Sequence, residues 1–275
     1  PVADGKQIPW EEGMQQFSAI IKAASGAIAY LGKPASGSEG DFVDEWLQAA
    51  GGGQRFKFNL LTQKSQIEAN KIAFDHANVP EYAFEKAGVV FNFSTDFLEN
   101  WGNPVENARR FTDMHVYKNG RKNKFIHISP QVSLTGAKGD RWIVINPGTE
   151  GLVALAIASV IQKKNGTYKF LKKYLQAYSP EKVAEATGVS AETLSELAID
   201  AMEHGPLLAL GGGNVSATDQ SVETLVAVNI LNAVSGALNK TILFSDQTAP
   251  ESSTHQDLTQ LISDLNAGKI KLLIV

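Results

Sequence analysis

With 275 residues, 43% hydrophobic and 20% charged, the chain can bury one large α/β core or two smaller intertwined ones. Its net charge of −4 gives no electrostatic case for nucleic acid or an anionic membrane surface, and no apolar run approaches the length of a bilayer span. The absence of cysteine excludes disulfides, thiolate zinc sites, cysteine-held iron–sulfur clusters and cysteine nucleophiles within it.

Trp10, Met14, Phe17, Ile20 and Ile21 recur at helical spacing behind Pro9, which suits a helix start. Residues 27–32 read as a short apolar strand. A helix follows, with Phe42, Val43, Trp46 and Leu47 on one face and Gly51-Gly52-Gly53 at its end. Residues 56–61 form a second strand, followed by a helix over 66–76. Residues 89–93, 125–128 and 142–145 are the third, fourth and fifth strands, and the stretch from Arg109 to Arg121 reads as a surface excursion. Next come a long alanine-rich helix over 152–161, one over about 166–177, a short one opened by Ser179-Pro180, and one within 190–203 capped by Ser190. Strand 207–210 runs into Gly211-Gly212-Gly213-Asn214. A helix over 221–234, a strand over 241–244, a helix over 257–265 and a buried terminal strand over 270–275 complete the series. The chain lacks an initiator methionine and stops on that strand, so it reads as a piece of a longer protein.

Strands and helices alternate, which predicts an α/β fold with a three-layer α/β/α, mostly parallel, doubly wound sheet. The expected organisation is two intertwined Rossmann-like lobes, residues 1–148 and 149–275, the second truncated at its C-terminal end. Ligands of such sheets sit beyond the strand C-termini, so the loops after Leu31, Phe93, Ile128 and Leu210 matter, beside the turn Asn146-Pro147-Gly148-Thr149-Glu150. In that turn Pro147 and Gly148 reverse the chain and Thr149 is placed to cap the next helix, whose free N–H groups suit a phosphate. A well-made loop that binds nothing has the same sequence. Gly211 to Asn214 suits a phosphate cradle equally with a turn that allows close helix–sheet packing. Asp96, in Ser94-Thr95-Asp96, suits hydrogen bonds from a ribose or guanine, or a helix cap. Ser129 and Asp140 are expected to complete a ring of polar groups at one sheet edge, with Trp101 as an aromatic face nearby. Neither a nucleophilic triad nor a paired acid and base emerges, and the five histidines show no metal-ligand spacing.

In order, four stretches resemble the large subunit of the molybdopterin oxidoreductases, the DMSO-reductase superfamily: residues 88–104 (GVVFNFSTDFLENWGNP), 127–135 (HISPQVSLT), 139–142 (GDRW) and 146–150 (NPGTE). Leu210 to Asn214 and Asn229 to Gly236 are similar to that family as well. The resemblance implies contacts to a molybdopterin guanine dinucleotide from Ser94, Asp96, Ser129, Asp140, Gly148 and Thr149, with Gly211, Gly212, Gly213 and Asn214 for its other half. It implies no catalytic side chain or metal ligand here; Thr62 and Ser65 are the only hydroxyls where the family's ligand usually falls. Gln131 stands where an arginine is common, weakening phosphate contact.

Within the superfamily, Asp96-Phe-Leu-Glu-Asn-Trp101 with Asn103-Pro-Val105 looks most like the iron–sulfur subunit of alternative complex III. That likeness implies a respiratory electron-transfer complex held at the membrane by partner subunits, on the periplasmic face of a bacterium, without direct insertion of this chain. Iron–sulfur clusters would lie only outside it, and its isolated form would be inactive. The same likeness leaves two roles open, a pterin-binding oxidoreductase part or a cofactor-free structural scaffold.

Overall fold

The computed structural model of the chain describes residues 1–35, 37–58, 63–117, 120, 122–213, 220–245, 253 and 255–275. Two compact units are present: Pro1–Thr62 with Thr248–Val275, and Gln63–Gln247.

The first unit opens with a two-residue hairpin, β1 (Val2–Ala3) and β2 (Lys6–Gln7), then α1 (Trp10–Ala23), β3 (Ile28–Gly32), α2 (Ser38–Ala49) and β4 (Gly53–Lys57). Gly51 and Gly52 adopt φ of 95° and 97°, the left-handed geometry that ends α2 and that glycine adopts without strain. β3 and β4 pair in parallel. Ile21, Trp46 and Leu47 cover one face of this sheet around Ile28, a small core for so many elements. α1 has no buried residue, and Trp10, Met14, Phe17 and Ile20 of its apolar stripe are exposed.

The second unit contains α3 (Lys64–Phe74), β5 (Glu81–Tyr82), β6 (Val89–Phe93), α4 (Pro104–His115), β7 (Lys124–Ile128), β8 (Arg141–Ile143) and α5 (Glu150–Asn165). It continues with α6 (Leu171–Leu175), α7 (Pro180–Thr187), α8 (Ala191–Glu203), β9 (Leu207–Leu210), α9 (Ser221–Ser235) and β10 (Ile242–Leu243). The chain then returns to the first unit through α10 (His255–Asn266) and β11 (Leu272–Ile274), which pairs in parallel beside β3.

In the second unit β8, β7, β6 and β9 form one parallel sheet in that order. Alternation explains its two faces. Val89, Phe91 and Phe93 of β6 and Leu207 and Ala209 of β9 point into a core closed by α5, α8 and α9. Val90, Phe125, Leu208 and Leu210 point the other way, into a core with Phe97, Phe111 and Met114. Helices therefore bury both faces, the α/β/α arrangement expected from the sequence. Strand order reverses between β6 and β9, which makes their C-terminal ends the switch point of the sheet. The outer edge of β9 is closed by a side chain: Asn232 accepts the Ala209 N–H at 2.9 Å and donates to the Ala209 carbonyl at 2.8 Å, as a neighbouring strand would.

Several expectations change. The boundary expected at 148/149 falls inside the second unit, between β8 and α5, because α5 packs on the sheet to which β8 belongs. Residues 109–115 are not an excursion but the end of α4, with Asn103 accepting the Glu106 N–H as its cap and Phe111 and Met114 buried. The helix expected from 166 starts only at Leu171, since Gly166 adopts φ 66° to terminate α5. The strand expected over 241–244 is the two-residue β10, paired antiparallel with β5 outside the main sheet. The terminal strand is an edge strand and only half buried, because among the described residues no strand pairs with its outer side.

Candidate functional site

Ser94 follows β6 and turns the chain with φ 59°, an uncommon conformation for a residue with a Cβ. Its N–H donates to the Ile128 carbonyl at 3.1 Å, and the Ser129 N–H donates to Ile143, so both serines extend the parallel ladder past the strand ends. Ser94 Oγ donates to Glu150 Oε1 at 2.9 Å and lies 3.2 Å from Ser129 Oγ. One hydroxyl carries one proton, so Ser129 donates in the second contact. All three side chains are buried at 1% exposure. Glu150 begins α5, where its charge meets the positive end of the helix dipole. Among the described residues its Oε2 is buried without a hydrogen-bond partner.

Beneath them lies a second polar layer. Asn92 Oδ1 accepts the Thr95 N–H at 3.2 Å and Asn92 Nδ2 donates to Thr95 O at 2.8 Å, which orients the amide. That nitrogen also lies 3.0 Å from His127 Nδ1, which must accept, so His127 Nε2–H donates to the Gln131 carbonyl at 3.2 Å. Burial pushes the His127 pKa below its ordinary value, against the opposing effects of the Gln131 carbonyl and Asp96. His127 is thus a neutral imidazole holding the loop after β7, not a ligand or a base.

The glycines of the β9 loop press on this layer. A Cβ on Gly213 would stand 1.9 Å from the Ser94 carbonyl oxygen, so only glycine permits the approach. Gly211 is packed on Leu225 and Val228, and Gly212, at φ 96°, is exposed. Of the two readings of this loop, close packing describes its described part; Asn214 lies outside the described residues. Gly148 is exposed at φ 78° with nothing near its α-carbon face. Thr149 does not cap α5 with its side chain: Oγ1 donates back to Asn146 O at 2.6 Å. Asp96 is half buried at the same rim, and its carbonyl accepts the N–H groups of Glu99, Asn100 and Trp101. It caps no helix. Trp101 is a core residue tilted against Tyr82 rather than an open aromatic face.

Asp140 does not join this group. It immediately precedes β8, so in a parallel sheet it stands at the N-terminal rim, opposite Ser94 and Ser129. There Oδ2 accepts the Phe125 N–H at 2.8 Å and lies 2.9 Å from His115 Nε2, while Lys122 Nζ donates to Oδ1 at 2.5 Å. Burial raises its pKa, but Lys122, the Phe125 amide and His115 together hold it below the ordinary value. The loop after Leu31 belongs to the sheet of the first unit. Ser65 sits in the first turn of α3 and Thr62 lies outside the described residues; among the described residues no three acidic, histidine or cysteine side chains gather as a metal site.

The C-terminal rim therefore offers a buried acceptor, two serine hydroxyls and one half-buried carboxylate. With Glu150 already at the α5 N-terminus, a phosphate there would meet like charge. These acceptors fit a neutral group that brings its own N–H or O–H, such as a base edge or a sugar hydroxyl. The sequence signal for Glu150 was its place after Pro147-Gly148-Thr149, but its link to Ser94 spans 56 positions and had no local trace.

No protein-family model matches the chain. It is 26% identical over 284 aligned residues to the menaquinone reductase, molybdopterin-binding-like subunit of Nitratidesulfovibrio vulgaris, covering 96% of this chain and 40% of that protein. Over 237 residues it is 21% identical to the arsenate respiratory reductase molybdopterin-containing subunit ArrA of Shewanella sp., covering 70% of this chain and 26% of that one. By sequence the chain is similar to subunits of the molybdopterin oxidoreductases. Acetylene hydratase from Pelobacter acetylenicus shares its fold, with a TM-score of 0.58 and 16% identity over 86% of this chain and 34% of the other. The chain thus spans about two-fifths of the first relative and a third of that structure.

Proposed function

We propose that the C-terminal rim of the four-stranded sheet is the berth, filled or vacated, for the guanosine end of a pterin guanine dinucleotide in a respiratory oxidoreductase subunit. The observation that carries this reading is the buried Glu150 Oε2, without a partner among the described residues, beside Ser94 and Ser129 at the switch point. A guanine edge or ribose hydroxyl supplies the donor that oxygen lacks. Asp96, Gly148 and Thr149 form the accessible border of the berth, and Gly211, Gly212 and Gly213 would face its other half. The cofactor would supply the redox chemistry, and the residues of this chain would bind and orient it. With no cysteine in the chain, any iron–sulfur cluster of the parent protein is held elsewhere. The parent works with partner subunits of a membrane-bound electron-transfer complex, on the periplasmic face of a bacterium.

One observation favours the second reading, a cofactor-free scaffold of a quinol-oxidising complex. Gly213 lies against Ser94 at the switch point, and both serine hydroxyls are already bonded inside the chain. Metal analysis and pterin fluorescence of the full-length protein separate the two. Molybdenum or tungsten near one per chain supports the filled berth. A folded protein with neither metal nor pterin supports the scaffold.

A further inference from the structure

The net charge of −4 conceals a strongly uneven distribution. Between Glu150 and Glu181 the chain has no acidic residue, while Lys163, Lys164, Lys169, Lys172 and Lys173 fall within one short stretch. All five are exposed, and among the described residues none forms an ion pair within 4 Å. The nearest acid in effect is Glu181, whose lowered pKa comes first from Ser179 and only in small part from Lys163.

This stretch is held in a fixed shape. Gly166 ends α5, and the buried Gln162 accepts the Tyr168 N–H at 3.2 Å and donates to the Tyr168 carbonyl at 3.0 Å. Leu175 is buried and Leu171 packs against the same core, so this pair at i and i+4 turns one side of α6 inward. The adjoining flank carries Phe170, just before α6, and Tyr174, also four apart, at 68% and 66% exposure. Tyr168 meets the Phe170 ring edge-on with centroids 6.1 Å apart. Two large rings stand in solvent on a rigid segment, flanked by unpaired ammonium groups.

We infer that the Lys163–Tyr174 segment is a peripheral docking surface for an anionic phospholipid membrane. Lysines are compact point charges without the forked geometry that arginine uses to grip a single carboxylate, which suits a diffuse anionic layer. Tyrosine favours the headgroup boundary, where one end of its ring is apolar and the other wet, and phenylalanine adds an apolar ring that buries beneath it. The contact requires no membrane-crossing helix, and among the described residues none is long and apolar enough to be one.

Co-sedimentation of the 275-residue chain tests this, using vesicles of equal parts phosphatidylcholine and phosphatidylglycerol against phosphatidylcholine alone. The expected result is partition onto the anionic vesicles only, weakening as salt is raised. Lys169→Gln/Lys172→Gln/Lys173→Gln lowers the partition coefficient by roughly a hundredfold, at about fivefold for each lysine. Phe170→Ser/Tyr174→Ser weakens binding and makes the remainder more salt-sensitive. Lys6→Gln/Lys22→Gln/Lys86→Gln, with the same change in net charge, leaves it unaltered. Circular dichroism melts confirm that each variant is folded. Failure of the parent to partition, or equal losses in both lysine triples, overturns the inference. If the parent ignores the vesicles but binds polyglutamate through Lys169, Lys172 and Lys173, the surface serves an acidic protein and the membrane assignment falls.

Discussion

The two rims of the central sheet are both polar, yet they are finished differently. At the N-terminal rim Asp140 receives a backbone N–H, an ammonium and an imidazole, and both of its oxygens are engaged. At the C-terminal rim Glu150 is more deeply buried and receives one serine hydroxyl, with its second oxygen unpaired. A carboxylate whose oxygens are all engaged fixes a strand end and asks for nothing more. One with a buried oxygen that no described group pairs carries a desolvation cost, a condition that recurs where a site is built for a ligand. On the proposed reading, the difference between anchoring and recognition lies in that single oxygen.

Glycine contacts offer the harshest way to break the comparison, because both rims depend on one. A Cβ on Gly88 would stand 1.9 Å from the His204 carbonyl oxygen at the N-terminal rim, and one on Gly213 equally close to Ser94 at the other. Both Gly88→Ala and Gly213→Ala should cost about 3 kcal/mol, since backbone must move in each case. Urea denaturation gives the values. A loss below about 1 kcal/mol at Gly213 would mean the β9 loop can withdraw from Ser94, leaving the crevice open.

Asp140 should show the next largest effect. Asp140→Asn keeps an acceptor for Phe125 but faces an amide N–H₂ toward a donor, at a cost of about 1–2 kcal/mol. Its folded pKa is depressed, so its contribution is present above the unfolded value and disappears as pH falls through the folded one. The wild-type chain should therefore lose stability on acidification below the ordinary aspartate value of 3.8, with a shallower loss in Asp140→Asn. Parallel acid titrations followed by circular dichroism would refute the assignment if the two curves fell together.

Much of this frame is local and so could be read from the residues. β9 is an unbroken apolar run and β6 is broken only by Asn92 and β7 only by Lys124 and His127, because both faces of these strands are buried, and Ser190 caps α8 as its type and position predict. α4 was hidden because Arg109, Arg110 and Asp113 interrupt the inward series Asn107, Phe111 and Met114. The rim of Asp140 was in fact legible: a residue just before a parallel strand stands at the opposite end from one just after its neighbour. Ser94, Ser129 and Glu150 could be placed on one rim from the sequence, but not their mutual bonding or their burial. Those depend on how far the β9 loop descends onto Ser94, and a run of glycines fits a cradle and a tight contact equally well.

The smallest expected effect is the most discriminating. Glu150→Gln preserves an oxygen for the Ser94 hydroxyl and removes the carboxylate. The variant loses attraction to the α5 dipole but no longer desolvates a carboxylate with an unpaired oxygen, and these contributions oppose each other. Its stability should stay within about 1 kcal/mol of the parent, in contrast to Asp140→Asn, although Glu150 is the more buried of the two. If Glu150→Gln instead costs more than Asp140→Asn in the same urea series, Oε2 is satisfied within the folded chain. Glu150 would then be a structural anchor like Asp140, and the rims would differ in position but not in purpose.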